Sequence, residues 1–214
     1  LLFKWFIEAF EDKPDVGLVL KTFMINNSSS DNYFSKERIN QMKAGKPFPK
    51  IYLIHGDLTD EEMAQLYCHP KVKAFVSTTS GEGWGRLAAE TVSCDLPVLT
   101  TGWSGHMDFL NKDFVTLFDY TLKDVPQGAW QKGLFEPGMQ WAHLDEDDVK
   151  RKMRRCYNSY SVAKERAVKM GDIFRKNWST ENMAQKLIDT FDAIFAKSDK
   201  KIITSKTEIG VELI

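Results

Sequence analysis

Two glutamates, Glu82 and Glu90, stand with seven residues between them in the stretch SGEGWGRLAAE, Ser80 to Glu90. Gly81, Gly83 and Gly85 alternate with Glu82 and Trp84. Glycines clear side chains from a turn, so backbone N–H groups can approach a ligand closely. The residues that follow read as a helix, whose first N–H groups lack intrahelical partners and whose dipole end is positive. Together these features make an anion site suited to phosphate. A carboxylate inside such a site repels phosphate unless it has other work, and a carboxylate can accept hydrogen bonds from hydroxyls. Glu90, further along the helix, can do the same for a more distant part of the ligand. A ligand built as polyol, phosphate, polyol answers all three features, and a nucleotide sugar is such a ligand. Taken alone, the turn fits equally well an ordinary glycine loop with an acid favoured by the helix dipole. The flanking elements favour the first reading.

Those elements alternate. Leu2, Phe3, Phe6, Ile7 and Phe10 recur at helical spacing, and Pro14 ends that helix. A short apolar strand covers 16–21, NNSSSDN is a polar loop, and a helix is expected over 33–43. KIYLIHG is a second strand ending at Gly56. LTDEEMAQLY is a helix with Thr59 or Asp60 as its cap. KAFVST leads into the glycine turn, whose helix runs to about Cys94. LPVLTT is a fourth strand, GWSGHMDFL a turn opening another helix, and FVTLFD a fifth strand. The strands are apolar throughout rather than alternating, the mark of a parallel sheet covered on both faces. The expected class is α/β, a doubly wound, Rossmann-like parallel sheet whose ligands bind beyond the carboxyl ends of the strands. Between Tyr120 and Leu144 the pattern is lost, and VPQGAWQKGLFEPGMQW reads as an ordered surface loop. Helices are expected over 145–157, 161–177 and 180–197, with a frayed or crossing tail from Ser198. This gives a nucleotide-sugar-binding domain over 1–144, helices packing on it over 145–197, and a tail over 198–214.

The 214 residues carry a formal net charge of -1. That balance gives no electrostatic grip on nucleic acid. No apolar run is long enough to span a membrane. Cys68, Cys94 and Cys156 show no metal-ligand spacing and read as reduced thiols in a cytoplasmic protein, with peripheral attachment to a membrane left open. No metal site and no resident cofactor is expected. The chain opens at Leu1 inside an amphipathic pattern, which reads as a fragment of a longer protein.

EGWGRLAAE, followed by TVSCDLPVLTT and GWSGHMDFL, resembles the two-glutamate signature of retaining family-4 glycosyltransferases with the GT-B fold. The resemblance covers roughly Val16 to Leu110, including the strand-helix-strand run YLIHGDLTDEEMAQLYCHPKVKAFVSTT. It implies the C-terminal, donor-binding half of such an enzyme, with UDP- or GDP-sugar as donor and an acceptor-binding N-terminal domain supplied upstream. By this likeness Glu82 matches the catalytic-site glutamate on the donor-sugar hydroxyls and Glu90 the one on the ribose. Gly83, Trp84, Gly85, Arg86 and Leu87 match the loop at the diphosphate and sugar. Gly56 and Leu58 match the nucleobase-lining segment. Arg86 and Leu87 stand where Leu-Pro is common, and Arg86 either places a cation at the diphosphate or is a solvent-facing helix residue. Asp108 matches an acid of the later turn, while His106 reads as a local hydrogen-bonding residue. The implied reaction is transfer of a sugar from a nucleoside diphosphate to an acceptor hydroxyl with retention. Two other classes stay in view. An epimerase- or dehydrogenase-type nucleotide domain lacks its glycine fingerprint after the first strand. A non-catalytic module would use aromatics such as Trp103, Trp130 and Trp141 for partners, although core packing is expected for at least two of them.

Overall fold

The computed structural model describes residues 1–22 and 27–209, with side chains to residue 196. The chain divides into two compact units, Leu1–Gly171 and Asp172–Ile214.

In the first unit, helix α1 (Leu2–Phe10) buries Trp5, Phe6, Ile7, Ala9 and Phe10 along one stripe. That stripe packs with Leu99, Phe118, Val149 and Met153, and with the partly buried Leu18 and Val76. Strands β1 (Gly17–Lys21) and β2 (Lys50–Ile54) run parallel, with Val19 opposite Tyr52. Helix α2 (Ser29–Lys43) lies between them in sequence. It starts four residues before the expected Tyr33, because the Ser28 hydroxyl caps it by accepting from the Asp31 N–H at 3.2 Å. Helix α3 (Asp60–Cys68) opens with a reciprocal box in which Thr59 and Glu62 bond each other's backbone N–H.

Strands β3 (Phe75–Val76), β4 (Val98–Thr101) and β5 (Thr116–Phe118) form a second parallel ladder, with helix α4 (Arg86–Ser93) as the β3–β4 crossover. The parallel α/β class is the one the apolar strands imply, and the ladder comes in two pieces. The Lys50 N–H donates to the Val16 carbonyl and the Thr22 N–H to the Ile54 carbonyl. Even-numbered residues of β1 therefore face β2, and the backbone of Gly17 and Val19 faces the opposite edge. On β3, the N–H groups of Phe75 and Ser77 donate to Pro97 and Leu99, which turns the backbone of Val76 away from β4. β1 and β3 do not pair with each other.

The stretch expected to be a loop holds two strands. β6 (Tyr120–Asp124) pairs antiparallel with β7 (Gln140–Leu144), Leu122 lying opposite Ala142. The cause is period-2 alternation. Leu122, Ala142 and Leu144 turn inward, and apart from Trp141 their neighbours are polar, a pattern weaker than the uninterrupted apolar strands elsewhere. The connection between the strands bonds to itself: the Gln131 and Phe135 N–H groups each donate to the other's carbonyl at 2.8 Å.

Helix α5 (Glu146–Asn158) is capped by Asp145 and buries Val149 and Met153 against α1. Lys150 pairs with both Glu8 and Glu146, and Arg154 meets Asp12 at 2.6 Å. Helix α6 (Tyr160–Asn177) sends Arg166 to the carbonyls of Asp113 (2.8 Å) and Val115 (2.9 Å), pinning the approach to β5. The boundary between the units falls inside α6. In the second unit, helix α7 (Thr180–Ile209) continues past Ser198, where the sequence pattern suggested fraying. Residues 210–214 of the expected tail lie outside the described residues.

Candidate functional site

The glycine turn lies between β3 and α4, at the carboxyl end of the second ladder. Its backbone is clamped to the turn that follows β4. The Glu82 N–H donates to the Ser104 hydroxyl at 2.9 Å, and the Ser104 hydroxyl donates to the Glu82 carbonyl at 2.6 Å. The Gly105 N–H also donates to the Glu82 carbonyl, at 3.0 Å. The fit leaves no room. A Cβ on Gly105 would lie 1.9 Å from the Gly83 carbonyl oxygen. Gly85 sits at φ +87°, and a Cβ there would lie 2.6 Å from the His106 Cβ. Glycine is required at both positions, by overlap at Gly105 and by conformation as well at Gly85.

His106 is buried, and its Nε2 lies 2.6 Å from the Thr101 carbonyl. A carbonyl only accepts, so Nε2 carries the proton. The residue is a structural post under Gly85, in keeping with a local hydrogen-bonding role. Asp108 is exposed at the end of a short 3-10 turn, Gly105–Asp108.

Gly85 is the N-cap of α4 and no side chain caps the helix. The first intrahelical bond closes from the Ala89 N–H to the Gly85 carbonyl. The N–H groups of Arg86, Leu87 and Ala88 therefore point out of the helix start with the positive dipole end behind them. At the glycine turn a cavity of about 580 Å³ opens, lined by Thr79 to Gly83, by Trp103 and Ser104, and by Leu134, Phe135 and Met139 to Trp141. The Glu82 carboxylate lines this cavity with no ion-pair or hydrogen-bond partner among the described residues.

Of the predicted site residues, Glu82 and Gly83 line the cavity, whereas Trp84 to Glu90 are not among its lining residues and Arg86 to Glu90 belong to α4. The Trp84 ring packs on Phe109 with centroids 5.0 Å apart. The Arg86 Nε meets Glu90 Oε1 at 2.8 Å, one helical turn on, so the guanidinium lies on the second glutamate. Leu87 is half exposed, and its carbonyl accepts the Thr91 hydroxyl at 2.6 Å. Glu90 also faces Tyr67 of α3. Burial, then the Glu90 charge beside it, pushes the Tyr67 phenol up to about 12. Gly56 and Leu58 sit beyond β2 in the turn that opens α3. Gly56 is at φ +106° and packs against the Asn27 side chain, which reaches Asp57 at 3.5 Å.

Sequence reasoning missed the partners of the turn: Ser104, which holds Glu82, and Tyr67, which backs Glu90. It also missed the cavity wall. Trp103 and Trp141 are half-buried on that wall and Trp130 is exposed, so none of the three is the core residue expected of at least two of them. Ser104 and Glu82 are separated by 22 positions, and nothing local in the sequence announces their bond.

No family model and no curated protein matches the chain. Solved structures do match. Anabaena Alr3699/HepE, in complex with UDP and glucose, superposes with a TM-score of 0.60 at 15% identity, over 88% of this chain and 44% of that one. A glycosyltransferase from Rickettsia africae gives 0.61 at 16% identity, over 90% of this chain and 44% of that one. The fold is glycosyltransferase-like. A sucrose-phosphate synthase from Thermosynechococcus elongatus gives 0.60 at 14% identity, over 91% of this chain and 42% of that one. The chain thus spans less than half the length of each of these three proteins. No described helix is long and apolar enough to cross a membrane.

Proposed function

We propose that this chain is the nucleotide-sugar-binding half of a retaining glycosyltransferase that moves a sugar from a nucleoside diphosphate to an acceptor hydroxyl. The observation that carries the reading is the clamped glycine turn. It leaves three outward N–H groups at an uncapped helix start and an unpartnered carboxylate, Glu82, on the adjoining cavity. The N–H groups and dipole of α4 neutralise the diphosphate, first as ligand and then as leaving group, which is electrostatic stabilisation of developing charge. Glu82 accepts hydrogen bonds from donor-sugar hydroxyls and orients the sugar. Glu90 accepts from the ribose hydroxyls beside its contacts with Arg86 and Tyr67. Gly56 and Leu58 line the base, and the acceptor domain lies in another part of the protein. The transfer uses no resident cofactor, and the protein works in the cytoplasm.

Fold alone does not carry a function to this chain. The structural neighbour crystallised with UDP-glucose supports the choice of ligand class. The reading predicts that a nucleoside diphosphate stabilises the chain and NAD does not. At 100 times the dissociation constant a single site adds about 2.7 kcal/mol, or roughly 5–10 °C in Tm for a chain of this size. Thermal unfolding with UDP, GDP, ADP and NAD measures it. A shift with NAD alone would replace the reading with a dinucleotide domain, and no shift with any of the four at millimolar concentration would refute it.

A further inference from the structure

The cavity beside Glu82 has two unlike walls. One is aromatic and apolar, with Trp103, Phe135 and Trp141 at its centre. The Phe135 and Trp141 rings meet edge to face with centroids 5.1 Å apart, and Trp103 leans on Tyr120 at 5.7 Å. The other wall is polar, and two of its side-chain groups, the Ser80 hydroxyl and the Glu82 carboxylate, have no partner among the described residues. The walls are held in register, because the Ala142 N–H donates to the Ser80 carbonyl at 3.1 Å, bonding β7 to the glycine turn.

The indole N–H groups separate structural from available tryptophans. Trp130, on the same connection, donates its N–H to the Val125 carbonyl at 3.0 Å. Trp103 and Trp141 have no such bond among the described residues. Trp103 and Trp141 are only half-buried, so their indole N–H groups remain available to a ligand that accepts hydrogen bonds while lying against the rings.

We infer that this cavity is a binding site for a neutral pyranoside, formed by the β6–β7 connection against the glycine turn. A pyranose has C–H faces that stack on aromatic rings and equatorial hydroxyls that both donate and accept. Its faces match Trp103 and Trp141, and its edge matches Ser80 and the indole N–H groups. An alkyl chain would offer the Ser80 hydroxyl and the two indole N–H groups no hydrogen bond in place of water. The cavity volume falls in the range of small-molecule sites. The assignment of this pyranoside as the acceptor rests on the proposed function, since it places the ring beside the carboxylate that orients the donor sugar. The acceptor's ring is then gripped by the donor half itself.

The test is a titration of the chain with methyl glucoside, methyl galactoside and methyl mannoside to 100 mM. Tryptophan fluorescence and saturation-transfer NMR are the readouts, and hexanol is the apolar control. At least one glycoside is expected to give a saturable signal that Trp141→Ala weakens at least tenfold and Trp141→Phe, which keeps a ring, largely preserves. Absence of saturable binding by all three glycosides, or equal competition by hexanol, would overturn the inference. So would wild-type binding in folded Trp141→Ala. UDP is titrated in parallel. Glycoside binding without UDP binding would sink the donor reading and leave the saccharide site standing, and the reverse result would do the opposite.

Discussion

Gly105→Ala is the substitution through which the clamp between the two turns can be measured. The new Cβ would stand 1.9 Å from the Gly83 carbonyl oxygen and 2.6 Å from its carbon, whereas ordinary contact begins near 3.4 Å. Both are backbone atoms, so no side chain can swing aside. The 82–84 turn has to retreat by about 1.5 Å relative to that contact distance. Three hydrogen bonds cross the gap: Glu82 N–H to Ser104, Ser104 to the Glu82 carbonyl, and Gly105 N–H to the same carbonyl. Each is worth about 1 kcal/mol net, and water regains part of that at this exposed turn. Overpacking adds about 1–3 kcal/mol of its own. A loss of about 3 kcal/mol follows, which lowers Tm by roughly 6–12 °C for a chain of this length. Gly83→Ala is the matched control: a Cβ there meets nothing within 4 Å and its backbone is not left-handed. Calorimetric or circular-dichroism melting of both variants is the assay. Gly105→Ala melting within about 2 °C of the parent would refute the clamp and the rigid presentation of Glu82 built on it.

Three further outcomes follow from the structure. Tyr67 holds its proton more tightly in the folded state, at about 12, than an ordinary phenol at 10.0. The folded state therefore binds more protons above that value. The stabilisation is complete below about pH 10, amounts to about 3 kcal/mol for two units, and is lost as pH rises towards 12. Alkaline unfolding should begin in that window and Tyr67→Phe should flatten it; an unchanged alkaline limb would contradict this. Burial pushes the Cys156 thiol up to about 11, while Cys68 is exposed. A thiol reagent at pH 8 should label Cys68 quickly and Cys156 only on unfolding, and early labelling of Cys156 would count against the packing of α5. Amides facing the unpaired edges, Val19 on β1 and Val76 on β3, should exchange faster than those of Leu18 and Phe75 within the ladders. Equal protection would show that β1 and β3 pair with each other.

The parts of the fold legible in sequence are those whose cause is local. Continuous apolar runs mark the parallel strands, the break at Pro14 falls shortly beyond the end of α1 at Phe10, and Thr59 or Asp60 marks the start of α3, where the structure makes Thr59 the cap. The β6–β7 pair escaped because Leu122 is a single apolar position among polar ones and Ala142 is a small residue behind Trp141, next to a run of Pro, Gly and Trp. The cavity escaped with it, since half its wall belongs to that connection. At the site, Glu82, the glycines and Glu90 could be read as residue types at a spacing. Their partners could not: Ser104 and Tyr67 meet Glu82 and Glu90 across 22 and 23 positions of chain, through packing that no local pattern encodes. Arg86 is intermediate. Its i,i+4 distance to Glu90 is visible in the sequence, and the 2.8 Å ion pair is the arrangement that helical geometry favours.

The central claim is that the glycine turn cradles the phosphates of a nucleotide, and Gly83→Ala tests it most directly. Isothermal titration of UDP into the parent chain and into this variant is the measurement, with melting curves as the check on folding. If Gly83 is glycine so that a ligand can lie against the backbone, its methyl costs at least 1.4 kcal/mol of binding, a tenfold loss of affinity, with Tm unchanged. A Gly83→Ala chain that binds UDP as tightly as the parent would contradict the account, as would a parent chain that binds no nucleoside diphosphate.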